Sequence, residues 1–332
     1  MATVLFIGGT GVISEAATEL AAARGVALTL LNRGTTDAPV PPGVERIICD
    51  ARDKAALAAA VSGRTFDAVV DWIAFTPEHV QADIDVFSGR IGQYVFISSA
   101  TVYEKPPRHY LITERTPLGN PFSPYAQNKI ACETLLMRRF RTTAFPCTIV
   151  RPSYTYGNTK IPSCIAVSDY TIVDRIRRGR PIIVHGDGQS LWTMTHNTDF
   201  AAAFLAVLGS RKALGQAYHI TSDEVLTWDQ IHQAIGAAVG IEPEIVHVTT
   251  DMICAVAPEK TAGLKGDKMY SMIFDNSKIK GMAMGFAAKT MFAEGVKRSI
   301  SWFEAKPERM RINADAHALI DRIITSARLR QT

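Results

Sequence analysis

Cysteine is scarce in this chain. Cys49, Cys132, Cys147, Cys164 and Cys254 are the only five in 332 residues, and no two form a C-x-x-C pair. An odd, scattered set excludes a disulfide framework or a zinc ribbon and leaves reduced thiols as the expectation. The eight histidines show no H-E-x-x-H or Cys/His spacing, so no metal site is expected. No apolar run reaches the roughly 18 residues that a membrane span needs. Neither sign of charge dominates: 36 basic residues face 32 acidic ones, and a net charge of +4 argues for no nucleic-acid partner. The opening MATVLFIGGTG carries no basic leader and no export cleavage pattern. A soluble cytoplasmic protein with a small-molecule substrate is expected.

What is present is ordinary globular composition, 47% hydrophobic and 20% charged, over a length that suits two domains of about 150 residues. Short apolar runs at Val4–Ile7, Val26–Leu31, Val44–Cys49, Asp67–Asp71, Tyr94–Ser98 and Thr148–Arg151 alternate with helical patterns. The helical stretches are 13–24, 54–62, 77–88 and 124–141, with Ser123 as N-cap and Pro124 as first residue of the last. Runs without polar alternation fit strands buried on both faces. The rhythm predicts an α/β fold: a doubly wound parallel (Rossmann) sheet with a smaller C-terminal α/β lobe. A boundary between 1–151, the dinucleotide-binding part, and 152–332, mainly the substrate lobe, is expected, with segments free to cross it. The alanine clusters at 21–23 and 58–60 read as helix faces lying close to the sheet.

The first strand runs into Gly8-Gly9-Thr10-Gly11-Val12-Ile13-Ser14 and then a helix. Glycines there let the backbone approach a pyrophosphate, and the helix N-terminus offers unpaired N–H groups. Ser14 stands where the usual third glycine would be. After the second strand come Asn32-Arg33-Gly34, with no acid before Asp37. An acid would bind the ribose of NAD and an arginine the 2′-phosphate of NADP, so NAD or NADP is expected with a lean to NADP. Asp50, ending the third strand, suits the adenine amino group.

Ser98-Ser99-Ala100-Thr101-Val102-Tyr103 follows a strand, and Ser-Pro-Tyr125-Ala-Gln-Asn-Lys129 opens a helix. Residues four apart share a helix face, so the Tyr125 phenol and Lys129 ammonium are expected to serve one site. A neighbouring cation lowers a phenol's pKa and suits it to acid/base work on a hydroxyl or carbonyl oxygen. Ser99 is placed to hold that oxygen. Tyr156-Gly-Asn-Thr-Lys160 repeats the spacing, but its Gly157, Asn158 and Pro162 predict a loop in which the two side chains need not meet. The basic run Arg175, Arg177, Arg178, Arg180 reads as a solvated helix end, and His185 and His196 as structural histidines.

In order and spacing, GGTGVIS, FISSATVY, SPYAQNK and IVRPSYTYG resemble the extended short-chain dehydrogenase/reductase superfamily, within it the NAD-dependent epimerase/dehydratase group. LFIGGTG, LNRG and FISSA also resemble a branch that includes chloroplast stem-loop-binding proteins. The resemblance implies Ser99, Tyr125 and Lys129 as the catalytic trio. It implies Gly8 and Gly11 at the pyrophosphate, Asp50 at the adenine, Ala74 along the cofactor, and Pro152 and Ser153 beside the nicotinamide. Thr10, Val12, Ile13, Asn32 and Arg33 complete the expected cofactor contacts, and Thr101, Tyr154, Trp192 and His196 the substrate contacts. A homodimer built from a helix pair is also implied.

Two departures bear on the reaction. Ala100-Thr101 replaces the Asp-Glu pair of the group's dehydratases, which disfavours 4,6-dehydration. Leu191-Trp192 lies where a diphosphate-binding arginine is common, and Lys265 matches a second one only loosely. The expectation is hydride transfer at a carbinol centre of a sugar-like or nucleotide-sugar substrate, by an epimerase or an NADPH-dependent ketone reductase. An RNA-binding protein, or a dinucleotide-sensing regulator, on the same scaffold are the readings from other classes.

Overall fold

The computed structural model describes residues 2–35, 38–165 and 168–329. Asp37 lies outside them. Seven parallel strands form the central sheet: β1 Thr3–Ile7, β2 Ala27–Asn32, β3 Glu45–Ile48, β4 Ala68–Asp71, β5 Tyr94–Ile97, β6 Cys147–Pro152 and β7 Ala217–Ile220. Their order is β7-β6-β5-β4-β1-β2-β3. The chain winds outward from β1 to β3 and then returns to β4 on the other side. That reversal opens a crevice at the strand ends, where α/β sheets bind ligands.

Burial on both faces follows from the alternation inside β1. Val4 and Phe6 pack with Ala16, Ala17 and Ala21 of α1 (Ser14–Ala23) and with Phe200 and Phe204 of a later helix, Asn197–Val207. Leu5 and Ile7 face the opposite layer, with Leu57 of α2 (Lys54–Ala60), Val80 and Ile84 of α3 (Pro77–Phe87), and Cys132 and Leu136 of α4 (Pro124–Thr143). Ala21 touches the sheet as expected. Ala23, Ala58 and Ala59 do not; they are exposed, and α2 is anchored by Leu57 with the partly buried Ala60. All five cysteines are free.

The C-terminal half adds β7 to the sheet and builds a separate core on Trp228, Ile183 and Phe303. Its short strands pair locally: Tyr154–Tyr156 with Met194–His196, and Ile182–His185 with Ile245–Val248. The basic run corrects the sequence reading. Arg175 is fully buried, its guanidinium held by the Pro181 carbonyl at 2.8 and 3.0 Å and by Asp321 at 2.7 Å. Arg180 pairs with the same carboxylate. Arg175 and Arg180 therefore clasp the C-terminal helix Ala314–Leu329, while Arg177 and Arg178 stay exposed as expected and pair with Glu304 and Asp174. Among the described residues, no helix is long and apolar enough to cross a membrane.

Candidate functional site

The turn after β1 is shaped by two glycines. Gly8 and Gly9 have φ of +98° and +101°, a region that disfavours side chains. A Cβ on Gly9 would also lie 2.8 Å from Leu30. Ser14 fills the place of the third glycine by capping the turn: its Oγ accepts from the Gly11 N–H at 2.9 Å. Helix α1 thus starts at the turn with its first amides facing the crevice.

A crevice of about 640 Å³ runs along that turn, lined by Gly8, Gly9, Thr10, Gly11, Val12, Ile13 and Ser14. It continues past Trp72, Ile73 and Phe75 to Ser99, Tyr125, Lys129, Pro152, Ser153 and Lys160. A glycine cradle and the Ser–Tyr–Lys set therefore share one cavity.

Each member of that set is fixed by local rules. Ser123 caps α4 through the Ala126 N–H at 3.3 Å, which sets the rotation of Tyr125 and Lys129 about the helix axis. Lys129 is 1% exposed, and its Nζ donates to the carbonyls of Ala74 at 2.6 Å and Ile97 at 2.7 Å. An ammonium has three N–H donors, so one is left for a ligand. Nζ also lies 5.7 Å from the centre of the Tyr125 ring. Ser99 Oγ accepts from the Thr101 N–H at 3.2 Å and the Thr101 hydroxyl at 2.9 Å. With its lone pairs engaged, Ser99 has its own proton to give.

Titration behaviour differs from the sequence expectation in one respect. Burial pushes the Tyr125 phenol up, with the Ser99 hydroxyl pulling the other way. The cationic neighbour is itself weakened, because burial lowers Lys129 to about 8. Desolvation is the largest cause of both shifts.

Behind Lys129 stands a carboxylate that the motifs did not reveal. Asp71, fully buried at the end of β4, accepts the N–H groups of Ile73 at 2.6 Å and Ala74 at 2.7 Å and pairs with Arg52 at 3.0 Å. It shapes the loop whose Ala74 carbonyl holds the lysine. Its only sequence signal was an acid ending a buried strand.

Other expected contacts fall elsewhere. Ala74 is fully buried and acts through its backbone. Thr101 orients Ser99. Asn32, Arg33 and Asp50 lie at the carboxyl ends of β2 and β3, on the same sheet edge as Gly8 but beyond the residues that line the crevice; Arg33 and Asp50 are exposed. Trp192 is 2% exposed and packs on Trp228 with ring centres 5.8 Å apart, so it is a core residue of the lobe. His196 caps the Asn197–Val207 helix and meets Tyr156 edge-on at 5.3 Å, which keeps it out of the crevice. Tyr154 is half-buried under the Lys160 ammonium. Tyr156, read as part of a loop, ends a short strand and is buried, whereas Lys160 lines the crevice. Lys265 pairs with Asp251 at 2.6 Å. Among the described residues, no group of three or more His, Cys, Asp or Glu is placed to hold a metal.

Glu15, in the first turn of α1, carries a testable pH signature. Burial, with Glu19 nearby, raises its carboxyl to about 7, while the Asn197 amide donates to it at 2.9 Å. A folded-state pKa above the unfolded one means the native chain holds the extra proton, so stability falls as pH climbs from about 4.5 to about 7. Glu15→Gln is expected to melt at the same temperature as the parent at pH 4 and above it at pH 8. A melting series over pH checks this, and equal curves throughout would contradict it.

These residues fit a dinucleotide: glycines at a positive φ where a side chain is strained, a helix N-terminus behind them, and a buried ammonium with a donor to spare. The comparisons agree. The family model described as NAD dependent epimerase/dehydratase family matches residues 4–221. The chain is 29% identical over 258 residues to the chloroplast stem-loop binding protein of 41 kDa b of Arabidopsis thaliana, covering 74% of this chain and 65% of that protein. It is 26% identical over 211 residues to a UDP-glucose 4-epimerase of Mycolicibacterium smegmatis, covering 64% and 62% respectively. The chain thus spans a little under two thirds of the length of these relatives. Its fold is shared with the dTDP-glucose 4,6-dehydratase of Bacillus anthracis, solved in complex with NAD: TM-score 0.75, 19% identity, 93% of this chain and 98% of that one.

Proposed function

This chain belongs to the NAD dependent epimerase/dehydratase family, and we propose that it is an enzyme moving hydride at a carbinol carbon of a sugar-like or nucleotide-sugar substrate. The observation that carries this reading is the shared cavity, in which Ser99, Tyr125 and Lys129 line the same crevice as Gly8 to Ser14.

A bound nicotinamide dinucleotide supplies the hydride acceptor or donor. The chain's residues do the rest. Gly8, Gly11 and the first turn of α1 receive the pyrophosphate, and the free N–H of Lys129 the ribose next to the nicotinamide. Tyr125 moves the proton at the substrate oxygen, its phenolate as general base for an alcohol and its hydroxyl as general acid for a ketone. Ser99 donates to that oxygen, its hydroxyl aimed by Thr101. Burial of Lys129 and the aromatic cover of Phe75 and Phe96, at 4.9 and 4.7 Å from its ammonium, keep water from the lysine. In this reading residues 1–151 supply the cofactor side and 152–332 mainly the substrate side. Homodimerisation belongs to the same reading.

Whether the net reaction is epimerisation or ketone reduction rests on the cofactor. An exposed Arg33 beside Asn32, whose Oδ1 already accepts from Gly34 and Arg46 at 3.2 Å, supports NADP over NAD. The test is the dinucleotide content of the purified protein, by absorbance and native mass, followed by titration with NADH and NADPH. Tightly retained NAD points to an epimerase, and an empty site preferring NADPH to a reductase. Arg33→Ala is expected to weaken NADPH by about ten- to hundredfold, the worth of a charge-assisted hydrogen bond, and leave NADH unchanged. If neither dinucleotide binds, the enzymatic reading fails.

RNA binding is a second reading, favoured by similarity to a protein whose name states stem-loop binding. A complete Ser–Tyr–Lys set has no use there. Tight RNA association with a steep salt dependence would support it.

A further inference from the structure

The crevice carries charge that Ser99, Tyr125 and Lys129 do not account for. Lys160 leaves the strand Tyr154–Tyr156 and lines the same cavity as Tyr125 and Ser153. Its Nζ lies 4.1 Å from the centre of the Tyr154 ring, and the Nζ of Lys268 approaches that ring at 5.8 Å. Lys105, six residues beyond Ser99, is 4% exposed. One carboxylate, Asp267, acts electrostatically on all three lysines and on Tyr125.

This cluster is tied to the catalytic loop. Asp267 belongs to the turn Leu264–Lys268, and Asn120 bridges the two, its Nδ2 donating to the carbonyls of Thr101 at 2.8 Å and Gly266 at 2.7 Å. Gly266 packs against Asn120 and Ser123, the residue that caps the helix carrying Tyr125. The three ammonium groups therefore gather on the Tyr125 side of the crevice.

Three cations around one anion leave an excess of positive charge in a secluded place. Of these three lysines, only Lys268 has a carboxylate of the described residues within 4.0 Å. Lys105 touches the Met272 sulfur, and Lys160 reaches the Thr155 carbonyl at a long 3.4 Å. Burial holds both Lys105 and Lys160 down to about 8. Desolvated ammonium groups without anions are costly to keep, and an incoming anion relieves that cost.

We propose, resting on the hydride-transfer reading above, that the reacting unit of the substrate bears an anionic oxygen group, a carboxylate or a phosphate ester, received by Lys160 with Lys105 and Lys268 behind it. The site then selects an acidic sugar or sugar phosphate over its neutral counterpart. Lys160 is a specificity residue in this scheme and takes no part in the proton transfer.

The test is calorimetric titration of the protein, with and without bound dinucleotide, using inorganic phosphate, glucuronate and glucose as probes. Saturable binding of phosphate, or of glucuronate in preference to glucose, is expected. Lys160→Met should weaken it at least about tenfold, roughly 1.4 kcal/mol, while Lys160→Arg retains it and dinucleotide affinity stays unchanged. Binding of phosphate alone identifies a phosphate ester; preference for glucuronate alone identifies a carboxylate. The proposal is overturned if neither anion binds saturably, if Lys160→Met binds them as well as the parent, or if that variant loses dinucleotide instead. Anion binding by a protein that binds no dinucleotide would sink the hydride-transfer reading and leave the cationic site standing.

Discussion

Tyr125→Phe is expected to lower turnover by about 10²- to 10⁴-fold, the usual worth of a positioned general acid or base. The substitution removes one oxygen and keeps the ring that packs 6.3 Å from Phe75 and beside the Lys129 ammonium. Dinucleotide affinity and thermal stability should therefore stay close to those of the parent. The loss should fall on kcat, because the hydroxyl acts on charge that develops at the substrate oxygen during reaction. Undiminished turnover would remove Tyr125 from the chemistry. Equal loss of activity and cofactor binding would make it a binding residue only.

The second large effect lies one layer beneath the catalytic loop. Glu133 of α4 and Arg151 of β6 are 3% and 6% exposed, with paired contacts at 2.6 and 3.0 Å. Ser98, the neighbour of Ser99, donates to the same carboxylate at 2.5 Å, and Arg151 reaches the Tyr103 hydroxyl at 3.2 Å. The pair thus joins α4, the end of β5 and the loop after it. Glu133→Leu strands a buried guanidinium and is expected to cost about 3–5 kcal/mol, read as a lower denaturant midpoint. Adding Arg151→Met should recover most of that loss, since the stranded charge, more than the missing attraction, is what destabilises. A double variant no more stable than the single one would contradict this account.

The sheet and its first turn were legible in the sequence because their determinants are local. Unbroken apolar runs, the glycine turn, and Ser123-Pro124 at a helix start each act within a few residues. Tyr125 and Lys129 were legible for the same reason, as spacing on a helix fixes which face they share. The remainder depended on partners far away in the chain. Arg175 reads as solvated until Asp321, 146 residues later, closes over it. Trp192 reads as a substrate contact until Trp228 buries it. Lys160 sits in a loop whose path follows from the fold of the lobe, so its spacing to Tyr156 carried no information about its place in the crevice. Asp71 acts through backbone amides, a role that no motif announces.

The most direct test is a crystal structure of the protein grown with NAD or NADP. The account predicts the pyrophosphate on the Gly8–Ile13 turn and the nicotinamide end reaching Tyr125, with the spare donor of Lys129 on the adjoining ribose. A dinucleotide bound elsewhere, or one whose nicotinamide is out of reach of Tyr125, would contradict it.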